Sequence, residues 1–226
     1  MTGPRPALVL WDLDGTLLQA GPVSRDAVEA AFEAVVGRPQ GRSGTLSFAG
    51  RTDPWIARAV CRAEGVDEGL AGALLARLPV ELERRADRLA REGVVLPHVH
   101  AVLGGLADRG VRQGVVTGNL RATARTKVTG LGLATHLDLQ AAAYGDDGPT
   151  RDALVPVALA RAGVAAEDAW VVGDTPHDLS CARAAGVRCL LVATGSHPYA
   201  ELAALGADAV LPDLADALDL LVADRP

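Results

Sequence analysis

The chain has 226 residues, 49% of them hydrophobic and 22% charged, with a net charge of −6. That length suits one large domain or two small ones, and the composition is that of a globular protein able to bury a full core. The negative charge argues against nucleic acid or an anionic membrane as the main partner, and no stretch approaches the roughly 20 apolar residues of a membrane span. Cys61, Cys181 and Cys189 are odd in number and form no C-x-x-C pair. They are expected to be small core fillers in a reducing cytosol, with neither a disulfide framework nor a zinc site. The first apolar run is too short for a signal peptide and is cut by Asp12. A cytoplasmic protein, monomer or dimer, is expected.

Ala7 to Trp11 reads as a buried strand that ends in two acids one residue apart, Asp12 and Asp14. If the strand persists to Asp14, both acids share one face. Gly15 then lets the backbone turn close to whatever the acids hold. Ser24 is expected to cap a helix running to about Val36. After a Gly/Pro/Ser-rich loop, Asp53 is the expected cap of a second helix, with Pro54 at its first position. Helices follow over Asp67–Leu78 and Pro79–Arg91. Residues 19–92 thus form a helical insert with almost no strand signal.

From Gly93 helices and strands alternate. Helices are expected over Pro97–Arg109, Leu120–Leu131, Arg151–Ala162 and His177–Ala185. Strands are expected at Gln113–Val116, weakly at Leu137–Leu139, then at Ala169–Val172, Arg188–Val192 and Asp208–Leu211, before a final helix. This alternation predicts an α/β fold, a doubly wound parallel sheet with its ligand beyond the carboxyl ends of the strands. The expected division is a core of residues 1–18 and 93–226 and an insert of residues 19–92.

Three strand ends carry the most polar short motifs in the chain. Asp12 and Asp14 leave the first, Thr117, Gly118 and Asn119 the second, and Asp174 with Asp178 a third. Like charges this close need a cation, a shared proton or solvent. Converging carboxylates suit a hard, oxygen-preferring cation such as Mg²⁺. Thr117 offers a hydroxyl, and Gly118 and Asn119 offer backbone N–H groups near a helix start, which suits a phosphate. Arg151, at the opening of the next helix, can pair with the same phosphate.

Asp12-Leu13-Asp14-Gly15-Thr16, Val115-Val116-Thr117-Gly118-Asn119 and Val171-Val172-Gly173-Asp174-Thr175-x-x-Asp178 resemble the ordered motifs of the haloacid dehalogenase superfamily, phosphatase branch. The resemblance implies a Rossmann-like core and makes the helical insert a mobile cap domain. It implies that Asp12 is the nucleophile, forming an aspartyl-phosphate. Asp14 is then the general acid/base and a Mg²⁺ ligand through its backbone carbonyl. Thr117 and Asn119 position the phosphate, and Asp174 completes the metal site with help from Asp178. The family also requires a cation between the second and last motifs, usually lysine. Lys127 is the chain's sole lysine. It lies well inside a helix, where a solvated side chain is expected. Arg151 is therefore assigned the role, since arginine keeps the charge and can hold phosphate bidentately.

The implied activity is Mg²⁺-dependent hydrolysis of a small phosphate monoester, with phosphoglycolate as a candidate. Dehalogenase chemistry is disfavoured because those members lack the second acid that Asp14 supplies. Schiff-base phosphonate hydrolysis is disfavoured because the insert has no lysine. A hexose-phosphate mutase shares Asp12 and Asp14 and stays open. A phospho-acceptor signalling module is opposed by the insert and by the Asp-x-Asp spacing. In the insert, Arg51 and Thr52 are the candidate substrate contacts, Arg51 for a carboxylate. An equal alternative places Arg51 in solvent. His98 and His177 are expected to be polar residues at helix starts.

Overall fold

The computed structural model describes residues 5–223. The outermost residues of the expected core segment, 1–4 and 224–226, lie outside the described residues. Five parallel strands form one sheet in the order β4-β1-β5-β6-β7. They are β1 (Leu8–Trp11), β4 (Arg112–Val115), β5 (Ala169–Gly173), β6 (Arg188–Val192) and β7 (Ala209–Leu211). β1 is buried on both faces: Val9 and Trp11 enter one apolar cluster, Leu8 and Leu10 the other. This is the period-two pattern of a strand covered by helices on both sides.

Helices α5 (Val99–Ala107), α6 (Arg121–Gly130), α7 (Leu154–Ala162), α8 (Pro176–Ala184), α9 (Tyr199–Ala203) and α10 (Ala217–Val222) complete the doubly wound α/β layers. The register aligns Trp11 with Val115 on one side and with Val172 on the other. The three polar strand ends are therefore neighbours at one edge of the sheet, because β1 lies between β4 and β5.

The insert holds α1 (Val23–Val36), α2 (Asp53–Glu64), α3 (Ala71–Glu83) and α4 (Ala86–Glu92). Its two connections pair as a short antiparallel ribbon, β2 (Leu18–Gln19) with β3 (Val94–Val95). Phe32, Ile56, Val60, Cys61 and Leu74 build a small core within the insert. Truncating fully buried Phe32 to alanine there should cost about 3–5 kcal/mol. All three cysteines are buried free thiols, as expected. Among the described residues no helix is long and apolar enough to cross a membrane.

Several local expectations are corrected. α1 begins at Val23 after Pro22, so Ser24 lies in its first turn instead of capping it. The α2 cap is Thr52, whose Oγ1 accepts the N–H of Trp55 at 3.3 Å. Pro79 lies inside α3, and the break expected there falls after Glu83. A proline costs a helix one N–H donor, which packing against α1 and α2 can offset. Leu137–Leu139 forms no strand. Asp138 there accepts from the backbone N–H groups of Gln140 and Ala141 and pairs with Arg112, so it closes a turn. The chain reaches the sheet edge at Ala143, bridged to Val116.

Candidate active site

The sheet ladder of β1 ends at Trp11, one residue before the first acid, so strand geometry does not carry through to Asp14. Asp12 and Asp14 turn to different cations. Asp12 is buried, its N–H donating to Val172 O at 2.9 Å. Its Oδ1 accepts from Arg151 Nη2 at 2.8 Å. Arg151 opens a single 3-10 turn ahead of α7, is itself buried, and also pairs with Asp178 through Nη2. Arg151 thus lies on the first acid.

Asp174 follows β5 and is buried, with its Oδ1 accepting from Thr16 Oγ1 at 3.2 Å. Gly15 makes room for it. A Cβ at Gly15 would fall 2.5 Å from Asp174 Oδ2, and its φ of +92° is one that side-chain-bearing residues rarely adopt. Asp178, in the first turn of α8, is fully buried. Its Oδ2 accepts from the N–H and hydroxyl of Thr175 at 3.0 and 2.7 Å, while Oδ1 meets Arg151.

Asp12, Asp174 and Asp178 offer oxygens that all lie within 4.8 Å of one another. Burial, foremost, raises the carboxyl pKa of Asp12 against the opposing pull of Arg151. Burial, then the neighbouring charges of Asp12 and Asp178, raises that of Asp174. Three buried carboxylates facing one guanidinium leave negative charge uncompensated. An all-oxygen, acid-rich set of this kind fits a hard divalent cation such as Mg²⁺. Both oxygens of Asp178 already have donors, which leaves Asp12 and Asp174 as the better-placed ligands.

Thr117 and Asn119 are brought to the same edge. Thr117 is buried, and its Oγ1 accepts from Asn119 N at 3.3 Å and Asn119 Nδ2 at 2.9 Å. Gly118 lies under the insert: a Cβ there would collide with the backbone carbonyl of Arg51. The helix start expected just after Asn119 is taken up differently. α6 begins at Arg121, and Asp53 of α2 accepts the N–H of Leu120 at 2.7 Å and the hydroxyl of Thr123 at 3.0 Å.

Lys127 is the main correction. It is not a solvated helix residue, since its side chain is 5% exposed and ion-paired to Asp14. Two turns into α6, it points back along the helix toward the strand end, as helical side chains do. Its being the single lysine among 22 basic residues, in a family that usually places a lysine after the second motif, was the signal in the sequence.

A cavity of about 490 Å³ opens between the strand ends and the insert, within the range of small-molecule sites. Asp12, Asp14 and Lys127 line it from the core, and Arg25, Arg51 and Ile56 from the insert. The Arg51 guanidinium stacks over Trp55, 4.4 Å from the ring centroid. Thr52 is a cap residue. His177 lies beside Gly50, and burial, then Arg51 and Arg151, lowers its pKa. His98 precedes α5 with φ +65° and is not among the cavity residues.

The haloacid dehalogenase-like hydrolase profile matches residues 9–192. The phosphoglycolate phosphatase of Rhodospirillum rubrum is 34% identical over 240 residues, spanning 98% of this chain and 93% of its own. The phosphoserine phosphatase of Thermus thermophilus is 31% identical over 234 residues, covering 84% and 90%. Among solved structures, a predicted phosphatase from Clostridium acetobutylicum superposes with a TM-score of 0.77 at 19% identity, over 96% of this chain and 99% of that one. CbbY from Rhodobacter sphaeroides, in complex with phosphate, gives 0.73 at 18%, over 93% and 96%. At these identities the two structures speak for the fold alone. The chain belongs to the haloacid dehalogenase-like hydrolase family. It is an enzyme of that family's phosphatase branch.

Proposed function

We propose that the chain hydrolyses a small phosphate monoester, of the phosphoglycolate type, with Mg²⁺ and through a phosphorylated Asp12. The observation that carries this reading is the buried carboxylate of Asp12 on Arg151, at the edge of a cavity that also holds Asp14. Residues 19–92, pinned at their base by the β2–β3 ribbon and holding a core of their own, would act as the cap.

A phosphate dianion does not approach Asp12 unaided, since like charges near 4 Å repel by about 4 kcal/mol at an effective dielectric of 20. Arg151 offsets part of that charge, and Thr117, whose Oγ1 is held by the N–H and amide of Asn119, orients the phosphate oxygens through its hydroxyl proton. Asp12 and Asp174, with the Asp14 carbonyl that the family resemblance implies, would hold Mg²⁺, which would supply the remaining charge stabilisation. An Asp12 oxygen forms the new bond to phosphorus as the bond to the leaving alcohol breaks. Asp14 gives that alcohol its proton. Asp14 then takes a proton from water, whose oxygen attacks the phosphorus and frees inorganic phosphate and the Asp12 carboxylate.

Phosphoglycolate as the candidate substrate is supported by the Rhodospirillum rubrum relative. The cationic Arg51 at the cavity wall offers a place for its carboxylate. The test is phosphate release from a panel of metabolite phosphates, phosphoglycolate and hexose phosphates included, with and without Mg²⁺. Asp12→Asn should abolish release, by about 10⁴-fold or more. Transfer of the phosphoryl group within a hexose phosphate, with no free phosphate, would overturn the reading in favour of a mutase.

A further inference from the structure

An ammonium group buried in a protein is costly unless it meets charge and hydrogen-bond acceptors. Lys127 Nζ donates to Oδ1 and Oδ2 of Asp14 at 2.8 and 2.6 Å and to Oδ1 of Asn119 at 2.7 Å. Asn119 closes the ring, its Nδ2 donating to Asp14 Oδ2 at 2.7 Å. The ammonium has three protons and three acceptor atoms. Arg151 meanwhile serves Asp12 and Asp178. The two cations are therefore divided between the two acids of the first motif. The side chain of Asp14 is 39% exposed, facing the cavity, so packing alone does not hold its carboxylate in one rotamer.

We propose that Lys127 is a positioning residue that holds the Asp14 carboxyl group, with Asn119, in the orientation from which its protonated form gives its proton to the leaving oxygen and returns to the carboxylate that Lys127 pairs with. The proposal rests on the phosphatase reading above. Lys127 acts on the proton transfer through Asp14 and takes no part in binding the phosphate. Its loss should be felt in proportion to how much the leaving group needs a proton. An alkoxide needs one; p-nitrophenolate leaves without it.

The experiment compares kcat/KM for an alkyl phosphate and for p-nitrophenyl phosphate in the parent, Lys127→Met, Lys127→Arg and Asp14→Asn, all with Mg²⁺. Because kcat/KM reports only steps through departure of the alcohol, hydrolysis of the phosphorylated Asp12 does not obscure it. Lys127→Met should lose about 10²-fold on the alkyl ester and less than about fivefold on the aryl ester, the span a general acid supplies. Asp14→Asn should show the same bias. The double variant should add little to it, since the two residues act as one unit. Lys127→Arg, which keeps the charge, should recover part of the alkyl activity, and it gives the same ratio test should Lys127→Met not fold. Equal losses on both esters with an unchanged melting temperature, or a rise in KM alone, would overturn the proposal. An unmodified protein that releases phosphate from neither ester would instead overturn the phosphatase reading.

Discussion

Asp53 Oδ2 accepts the backbone N–H of Leu120 at 2.7 Å, so an acid of the insert caps the start of a core helix. The link runs both ways, because the N–H of Asp53 donates to Gly118 O at 2.7 Å. The loop carrying Thr117 and Asn119 is thereby tied to α2, the helix that follows Arg51. Asp53→Ala should lower stability by about 1–3 kcal/mol, because a buried N–H loses its acceptor. It should also raise KM by loosening the seat of the insert. Chemical denaturation and steady-state kinetics measure the two effects, and an unchanged denaturation midpoint would show the link to be idle.

The same carboxyl makes a pH prediction. Burial foremost raises the Asp53 pKa, against the opposing influence of Lys127. A folded-state pKa above the unfolded value of about 3.9 means that the contribution is full below that pH. It is lost as pH rises through the folded value. Asp53→Asn, which keeps an acceptor oxygen without the charge, should therefore gain on the parent in stability between pH 4.5 and pH 8. Parallel denaturation curves at both pH values would contradict this.

Arg151 is the guanidinium set among three buried carboxylates, Asp12, Asp174 and Asp178. Removing one partner of a buried ion pair costs about 3–5 kcal/mol, because the remaining charge is left uncompensated. Arg151→Met should show that loss, along with loss of turnover. Added Mg²⁺ should raise the melting temperature of the variant more than that of the parent, since a ligand that binds only the folded state stabilises it. Equal shifts in the two proteins would place the cation elsewhere.

The legibility of the site followed from how local each signal was. Asp12, Thr117 and Asp174 stand directly beyond apolar strands, and adjacent parallel strands bring their ends together whatever the loops do. Arg151 was legible from its place ahead of α7. Lys127 was not, because a helix interior gives no sign of which way a long side chain reaches across a groove. Asp53 looked like a local cap because Asp-Pro favours helix starts. Its tertiary partner, Leu120, lies 67 residues on, and only the docking of the insert reveals it. The expected strand at Leu137–Leu139 failed for a related reason, since the pairing of Asp138 with Arg112 favours a turn.

Arg51 stacks on Trp55 at the cavity wall and is otherwise exposed. Such a contact contributes about 0.5–1 kcal/mol at an exposed site, so the fold does not depend on it. Arg51→Ala should raise KM for phosphoglycolate more than it lowers kcat, the signature of lost uniform binding. Unchanged kinetics across several phosphate esters would remove Arg51 from the substrate site.

Glu64 closes α2 and is buried beneath a loop that wraps it. Its carboxylate accepts the backbone N–H groups of Gly41, Arg42 and Ser43 at 2.9, 2.6 and 2.8 Å, and Arg38 Nη1 at 3.0 Å. Burial opposes the charge, but these donors outweigh it and hold the carboxyl well below the usual range. A depressed folded-state pKa means stability present above the unfolded value of about 4.3 and lost as pH falls toward the folded one. Glu64→Gln should cost about 2–3 kcal/mol at pH 7, since hydrogen bonds to a charged group are replaced by an amide that accepts fewer. The gap should narrow at pH 3, where the parent has already lost part of that contribution. The loop leads to Phe48, Gly50 and Arg51 at the cavity wall, so the variant should also raise KM. A denaturation midpoint equal to the parent's at pH 7 would show that the loop holds its shape without the carboxylate.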